Sequence, residues 1–168
     1  IAINISSQHF KHNLIDSINF ALKESGLSPV LLEIEVTENC FIENIKHASA
    51  TLQKIRQLGI KNSIDDFGTG FSSLSYLTQL PFDTLKIDAS FISKLPGDLK
   101  QCQIVKSIIA MAKGLDLTLV GEGVETTAQA HFLTVNGCDV IQGYLYSTPE
   151  NAKGVTERLA KQQLLPTE

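Results

Sequence analysis

Short apolar runs and segments of helical period alternate along the whole chain. Runs rich in Ile, Val and Leu fall near 1–5, 30–36, 60–65, 84–88, 117–122 and 140–145 and predict six β-strands. Several read as continuous rather than alternating, as strands covered on both faces do. Between them, apolar positions recur at helical spacing. Phe10, Leu14, Ile18 and Leu22 predict a helix that stops at Gly26, and Ile45, Ala48, Leu52 and Ile55 predict one that stops before Gly59. Further helices are expected over 72–80, over 99–113 before Gly114, over 126–136 before Gly137, and over 151–163.

Six strand–helix units in succession predict a parallel α/β fold. Two architectures satisfy that pattern, an open doubly wound sheet and part of an eight-fold barrel. With 168 residues each unit takes 28, so eight would need 224, inside the range of roughly 200 to 400 residues that such barrels occupy. Gly68-Thr69-Gly70 lacks the third glycine of a dinucleotide fingerprint. The reading is a TIM-like (β/α)8 barrel, with residues 1–168 carrying about six of the eight units as one partial domain. The opening, Ile1-Ala2-Ile3-Asn4-Ile5, is strand-like and has no initiator Met. Two units are therefore expected upstream.

Composition narrows the function classes. Fourteen Lys and Arg against eighteen Asp and Glu leave a net charge of −4, which argues against coating duplex nucleic acid. A small phosphate ester stays open, because bound cations can invert the sign of a local field. No apolar run approaches the roughly 20 residues of a membrane span, and no signal peptide is visible. Cys40, Cys102 and Cys138 are odd in number and widely spaced, as reduced thiols of a cytoplasmic protein would be.

The informative positions are the last residues of each expected strand. They are Asn4, then Glu35 with Glu38, Asp65-Asp66, Lys86 and Asp88, Glu122 with Glu125, and Gln142. In a parallel barrel every strand points its C-terminal end at the same mouth, so these groups would converge. Acids crowded into one mouth repel unless cations neutralise them. Carboxylates and an amide oxygen, without Cys or His, suit hard ions such as Mg²⁺ or Mn²⁺. Singly, each position also has an ordinary reading: Asp88 before Ser90, or Glu125 before Thr126, could simply cap the next helix. Repetition across six strands is harder to explain that way. Asp65-Asp66 would suit a two-metal site with ions about 3.5–4 Å apart, one carboxylate shared and its neighbour serving one ion. Lys86, between Leu85 and Ile87, needs a partner to offset its desolvation. That partner is either a structural ion pair, or a water or phosphate oxygen that Lys86 holds.

Five blocks carry a resemblance. Glu35-Val36-Thr37-Glu38, Asp65-Asp66-Phe67-Gly68-Thr69-Gly70-Phe71-Ser72-Ser73-Leu74, Leu85-Lys86-Ile87-Asp88, Gly121-Glu122-Gly123-Val124-Glu125-Thr126 and Gln142-Gly143-Tyr144-Leu145 resemble, in order and spacing, the EAL domain family. Its members are cyclic di-GMP phosphodiesterases built on a TIM-like barrel. The resemblance implies metal-dependent hydrolysis of cyclic di-GMP to linear pGpG. By position, Asn4, Glu35, Asp65, Asp66 and Glu122 match metal ligands, with Asp65 bridging. Lys86 matches the lysine that positions or deprotonates the attacking water, and Asp88 and Gln142 match residues around it. Glu38 matches the glutamate that anchors the loop 67–74. Implied partners are the dinucleotide, a second copy in a homodimer, and sensor or synthase domains upstream.

The chain departs from the family in several places. The Glu-Ala-Leu signature is absent, since the chain begins after it, and the isolated segment is expected not to hydrolyse substrate. Ala89 stands where Arg is common, Gly121 where Ala is usual, and Asn62 and Ser63 where apolar residues are commoner. The alternative function is a degenerate EAL module that acts as a cyclic di-GMP receptor or protein-interaction domain. Retention of Asn4, Glu35, Asp65, Asp66, Lys86 and Glu122 favours the enzyme.

Overall fold

The β-branched runs pair as parallel strands, each followed by a helix that returns the chain to the start of the next. A computed structural model describes residues 1–11, 13–42, 44–68 and 74–160. Strands β1 (Ala2–Ile5), β2 (Glu33–Thr37), β3 (Lys61–Phe67), β4 (Thr84–Ile87), β5 (Thr118–Gly121) and β6 (Val140–Ile141) form one sheet in that order, every neighbouring pair parallel. Helices α1 (Ser7–Lys11) and α2 (Leu14–Ser25) join β1 to β2. Then α3 (Ile45–Gln57), α4 (Leu74–Gln79), the pair α5 (Ala89–Ile92) and α6 (Leu99–Gly114), and α7 (Thr127–Asn136) make the later crossovers, and α8 (Ala152–Ala160) ends the series.

Strand order decides between the two architectures. A doubly wound sheet reverses its order at a switch point, whereas right-handed crossovers in an unreversed sheet place every helix on one face. The order here never reverses. This is the wall of a TIM-like barrel.

The two faces of the sheet differ. Ile34, Val36, Ile64, Leu85, Ile87 and Leu119 are buried beneath the helices, together with Leu52, Ile55, Val105 and Leu133 from α3, α6 and α7. The alternate positions Glu35, Ser63, Asp65, Thr84 and Lys86 are buried too, but polar. The strands therefore alternate, contrary to the continuous reading. The helices take one face, and the other carries the polar groups described below.

Several boundaries moved. Pro29–Leu31 is a 3-10 turn rather than strand, because proline fixes φ and removes a ladder donor. After Ile141 the chain turns, with the Tyr146 amide donating to the Gly143 carbonyl at 3.1 Å, so β6 is far shorter than expected. The first expected helix is broken at Asn13, whose φ of 50° is left-handed. α5 is not among the helices that periodicity predicts, and only the capping reading of Asp88 before Ser90 points to it. Parts of the helices expected over 72–80 and 151–163, and residues 69–73 of the expected loop, lie outside the described residues. Of the departures, Gly121 packs on α7, where the Cβ of an alanine would stand 2.8 Å from Leu133 Cδ1. All three cysteines are buried, and burial pushes the Cys138 thiol up.

Asn62 acquires a structural role. Its buried side-chain amide donates to the carbonyls of Leu52 (3.1 Å) and Pro81 (3.0 Å), and its backbone amide donates to Asp83 Oδ2 at 3.0 Å. Asp83 in turn pairs with Arg56 at 3.1 Å. Asn62 thus ties β3 to α3 and to the loop before β4. Asn62→Leu leaves two carbonyls without their donor, and urea unfolding is expected to show a loss of about 2 kcal/mol. Nothing among the described residues explains Ser63, whose buried hydroxyl has no hydrogen-bond partner there.

Candidate functional site

Parallel register brings the strand ends level. Asn4 lies beside Glu35, and Thr37 beside Asp65. Between β3 and β4 the register slips: Ile64 pairs with Leu85 but Phe67 with Ile87. Two residues, Asp65 and Asp66, therefore stand opposite the single Lys86. This is a β-bulge, which re-aims side chains. In a regular strand adjacent acids would point to opposite faces. Here Asp66 adopts a left-handed φ of 53°, and its amide donates to Asp65 Oδ1 at 3.0 Å. Carboxylate oxygens of Asp65, Asp66 and Glu122 lie within 4.8 Å of one another.

Lys86 sits among these acids. Its ammonium is 2.7 Å from Glu122 Oε1, 2.9 Å from Glu35 Oε1 and 3.1 Å from Asp65 Oδ1, with the side chain only 6% exposed. Burial alone would lower its pKa. The hydrogen bonds it donates to Glu122, Glu35 and Asp65 outweigh that and hold it above the ordinary lysine range. Burial likewise pushes the Glu122 carboxyl up, only partly offset by Lys86. Asp66 is pushed up by burial and then by the charges of Asp65 and Asp88. One ammonium thus faces four carboxylates, Glu35, Asp65, Asp66 and Glu122. The excess negative charge and all-oxygen donor set fit hard divalent cations.

The remaining expected residues surround this cluster to different degrees. Asp88 follows β4 and caps α5, accepting from the Ser90 amide at 3.0 Å. It is close enough for its charge to act on Asp66, so its capping and site readings are compatible. Asn4 is exposed at the end of β1. Gln142 follows β6, with its backbone amide on the Gly121 carbonyl (2.9 Å), its carbonyl on the Val124 amide (3.1 Å) and its side chain exposed. Glu38 is buried in a 3-10 turn directly after β2. The loop it was expected to anchor falls largely outside the described residues. Glu125 is exposed, and Thr126 caps α7 in a capping box with Gln129.

Sequence reasoning missed Gln129. Its buried side chain accepts from the amides of Glu125 (2.8 Å) and Thr126 (3.0 Å) and donates to the Ile92 carbonyl (3.3 Å). It thereby fastens the loop after Glu122 to α5. The Thr126-x-x-Gln129 spacing was the available signal.

Comparison with known proteins bears on this geometry. The model of the EAL domain family matches residues 1–149. The cyclic di-GMP phosphodiesterase NbdA of Pseudomonas aeruginosa is 45% identical over 150 residues, covering 89% of this chain and 19% of NbdA. The chain thus spans about a fifth of that relative's length. The solved PaMucR phosphodiesterase in complex with c-di-GMP superposes with a TM-score of 0.87 at 43% identity, covering 92% of this chain and 63% of that one. Klebsiella pneumoniae BlrP1, solved as a manganese/cy-diGMP complex, superposes with a TM-score of 0.81 at 34% identity, over 88% of this chain and 38% of that one.

Proposed function

The chain belongs to the EAL domain family, and from that premise we propose that it is the hydrolytic part of a phosphodiesterase that opens cyclic di-GMP to linear pGpG. The observation that carries the reading is the meeting of Glu35, Asp65, Asp66 and Glu122 around Lys86 at the carboxyl ends of four strands. Relatives that act on or bind cyclic di-GMP supply the substrate.

In this reading Asn4, Glu35, Asp65, Asp66 and Glu122 would hold two divalent cations, Mg²⁺ or Mn²⁺, with Asp65 contributing to both. When bound, such cations supply electrophilic stabilisation of the phosphoryl oxygens and make water a better nucleophile. Lys86 donates a hydrogen bond to the attacking water. Its three carboxylate neighbours keep it an ammonium, which suits it to positioning rather than to proton abstraction. Asp88 and Gln142 border the cation site and the attacking water, and Glu38 anchors the loop that follows Asp66. Hydrolysis adds water across one P–O bond, giving a terminal phosphate and a free 3′ hydroxyl. The reduced, buried cysteines fit a cytoplasmic location, and no described helix is long and apolar enough to cross a membrane.

The test is incubation of the complete protein with cyclic di-GMP and Mg²⁺ or Mn²⁺, with product followed by chromatography. Cation-dependent pGpG that EDTA abolishes is expected, and no product with either ion would overturn the reading. Acidity provides a second check. Cations bind the ionised carboxylates, and Glu122 and Asp66 both hold protons above the ordinary carboxylate range. Lowering the pH should therefore weaken Mn²⁺ binding before it reaches about 4, where unperturbed carboxylates titrate. Calorimetric titrations across that interval would read it.

A further inference from the structure

The two segments that carry the carboxylate trio abut the same short helix. The bulge of Asp65 and Asp66 runs into Gly68, where a Cβ would stand 2.8 Å from both Cε2 and Cζ of Phe91 in α5. Gly68 has a φ of 96°, so the end of the phenyl ring lies directly on its backbone. On the other side Glu122 runs into Gly123, where a Cβ would stand 2.4 Å from that of Ala89, also in α5. Gln129 fixes the far end of α5 through the Ile92 carbonyl while holding the amides of Glu125 and Thr126. Phe91 is half-buried and packed against the core.

Resting on the metal-site reading above, we propose that Phe91 is a positioning residue that sets the Asp66 carboxylate against Glu122 by bearing on Gly68. Asp66 occupies a left-handed backbone region that an aspartate leaves readily unless its surroundings hold it. The ring supplies that hold from one side. Ala89 against Gly123 fixes the opposite segment to the same helix, so the spacing of the trio is referred to a single rigid turn. The absence of a Cβ at Gly123 lets the two backbones approach this closely.

The test separates this role from bulk packing. Phe91→Leu keeps apolar contact with the core but lacks the Cε2 and Cζ atoms that touch Gly68. In the complete protein its Mn²⁺ affinity should fall roughly 10-fold, the usual scale for losing support behind a ligand. Hydrogen exchange across 66–68 in the metal-free protein should quicken, with the urea midpoint close to wild type. Phe91→Met, whose flexible chain reaches as far as the ring, should recover most of both. Wild-type Mn²⁺ affinity and unchanged exchange in Phe91→Leu would overturn the proposal. If the wild-type protein itself binds no Mn²⁺, the metal reading fails, and exchange across 66–68 alone decides the role of Phe91.

Discussion

Replacing Lys86 by methionine should lower the melting temperature of the metal-free protein, tighten its hold on Mn²⁺ and remove nearly all turnover. The three effects share one cause. Lys86 is almost fully buried and pairs with Glu35, Asp65 and Glu122 within 3.1 Å. Methionine follows the lysine chain out to Cε but leaves these acids facing Asp66 with no compensating charge. Removing one partner of a buried ion pair costs about 3–5 kcal/mol. Glu122 retains some contact with water, its side chain being 16% exposed, so the lower end of that range is expected. Glu122, which burial already pushes up and Lys86 only partly offsets, would then rise further, so the deficit should be present at neutral pH and shrink as the pH falls. The ammonium that steadies the metal-free site also competes with a cation for Asp65 and Glu122. Its removal should strengthen Mn²⁺ binding by about 10-fold or more, the scale of one unit charge a few ångströms away. Turnover should nevertheless drop about 100- to 1,000-fold, as when a preorganised donor is removed. Thermal melts with and without Mn²⁺, with product assays beside them, read all three. A metal-free variant as stable as wild type that binds Mn²⁺ more weakly would refute this account.

Much of this site was legible because it lies at strand ends, where parallel topology makes position along the chain a proxy for position in space. Glu35, Lys86 and Glu122 follow apolar runs at recurring intervals, and a barrel-like order brings such residues together without further information. What the sequence concealed was pairing. The bulge that turns Asp66 toward its neighbour is a one-residue slip against β4, invisible until the partner strand is known. The polar lining was hidden for a related reason: Asn62 and Ser63 sit side by side but face opposite ways, one bonded to α3 and the other turned to the inner face. The contacts of Phe91 with Gly68 and of Gln129 with Ile92 span 23 and 37 residues. Local periodicity cannot report contacts of that range.

Asp65 should behave in the opposite way to Lys86. It belongs to both networks, 3.1 Å from the ammonium and within the carboxylate trio, and its Oδ1 also accepts the Asp66 amide. Asp65→Asn keeps an oxygen for that amide, and so the bulge, while removing one charge. Three acids would then face Lys86 in place of four, and Asp66 would lose the second-largest influence raising its pKa. Metal-free stability should hold level or rise. Mn²⁺ binding and turnover should collapse, the latter by roughly 1,000-fold, or about 4 kcal/mol of transition-state stabilisation. Asp65→Ala should lose activity equally and in addition melt lower, because the Asp66 amide no longer has its acceptor and a left-handed aspartate is released. The contrast between the two variants separates charge from scaffold. If Asp65→Asn melted lower than wild type yet kept wild-type turnover, the carboxylate would be a strut for Lys86 and the shared-ligand assignment would fall.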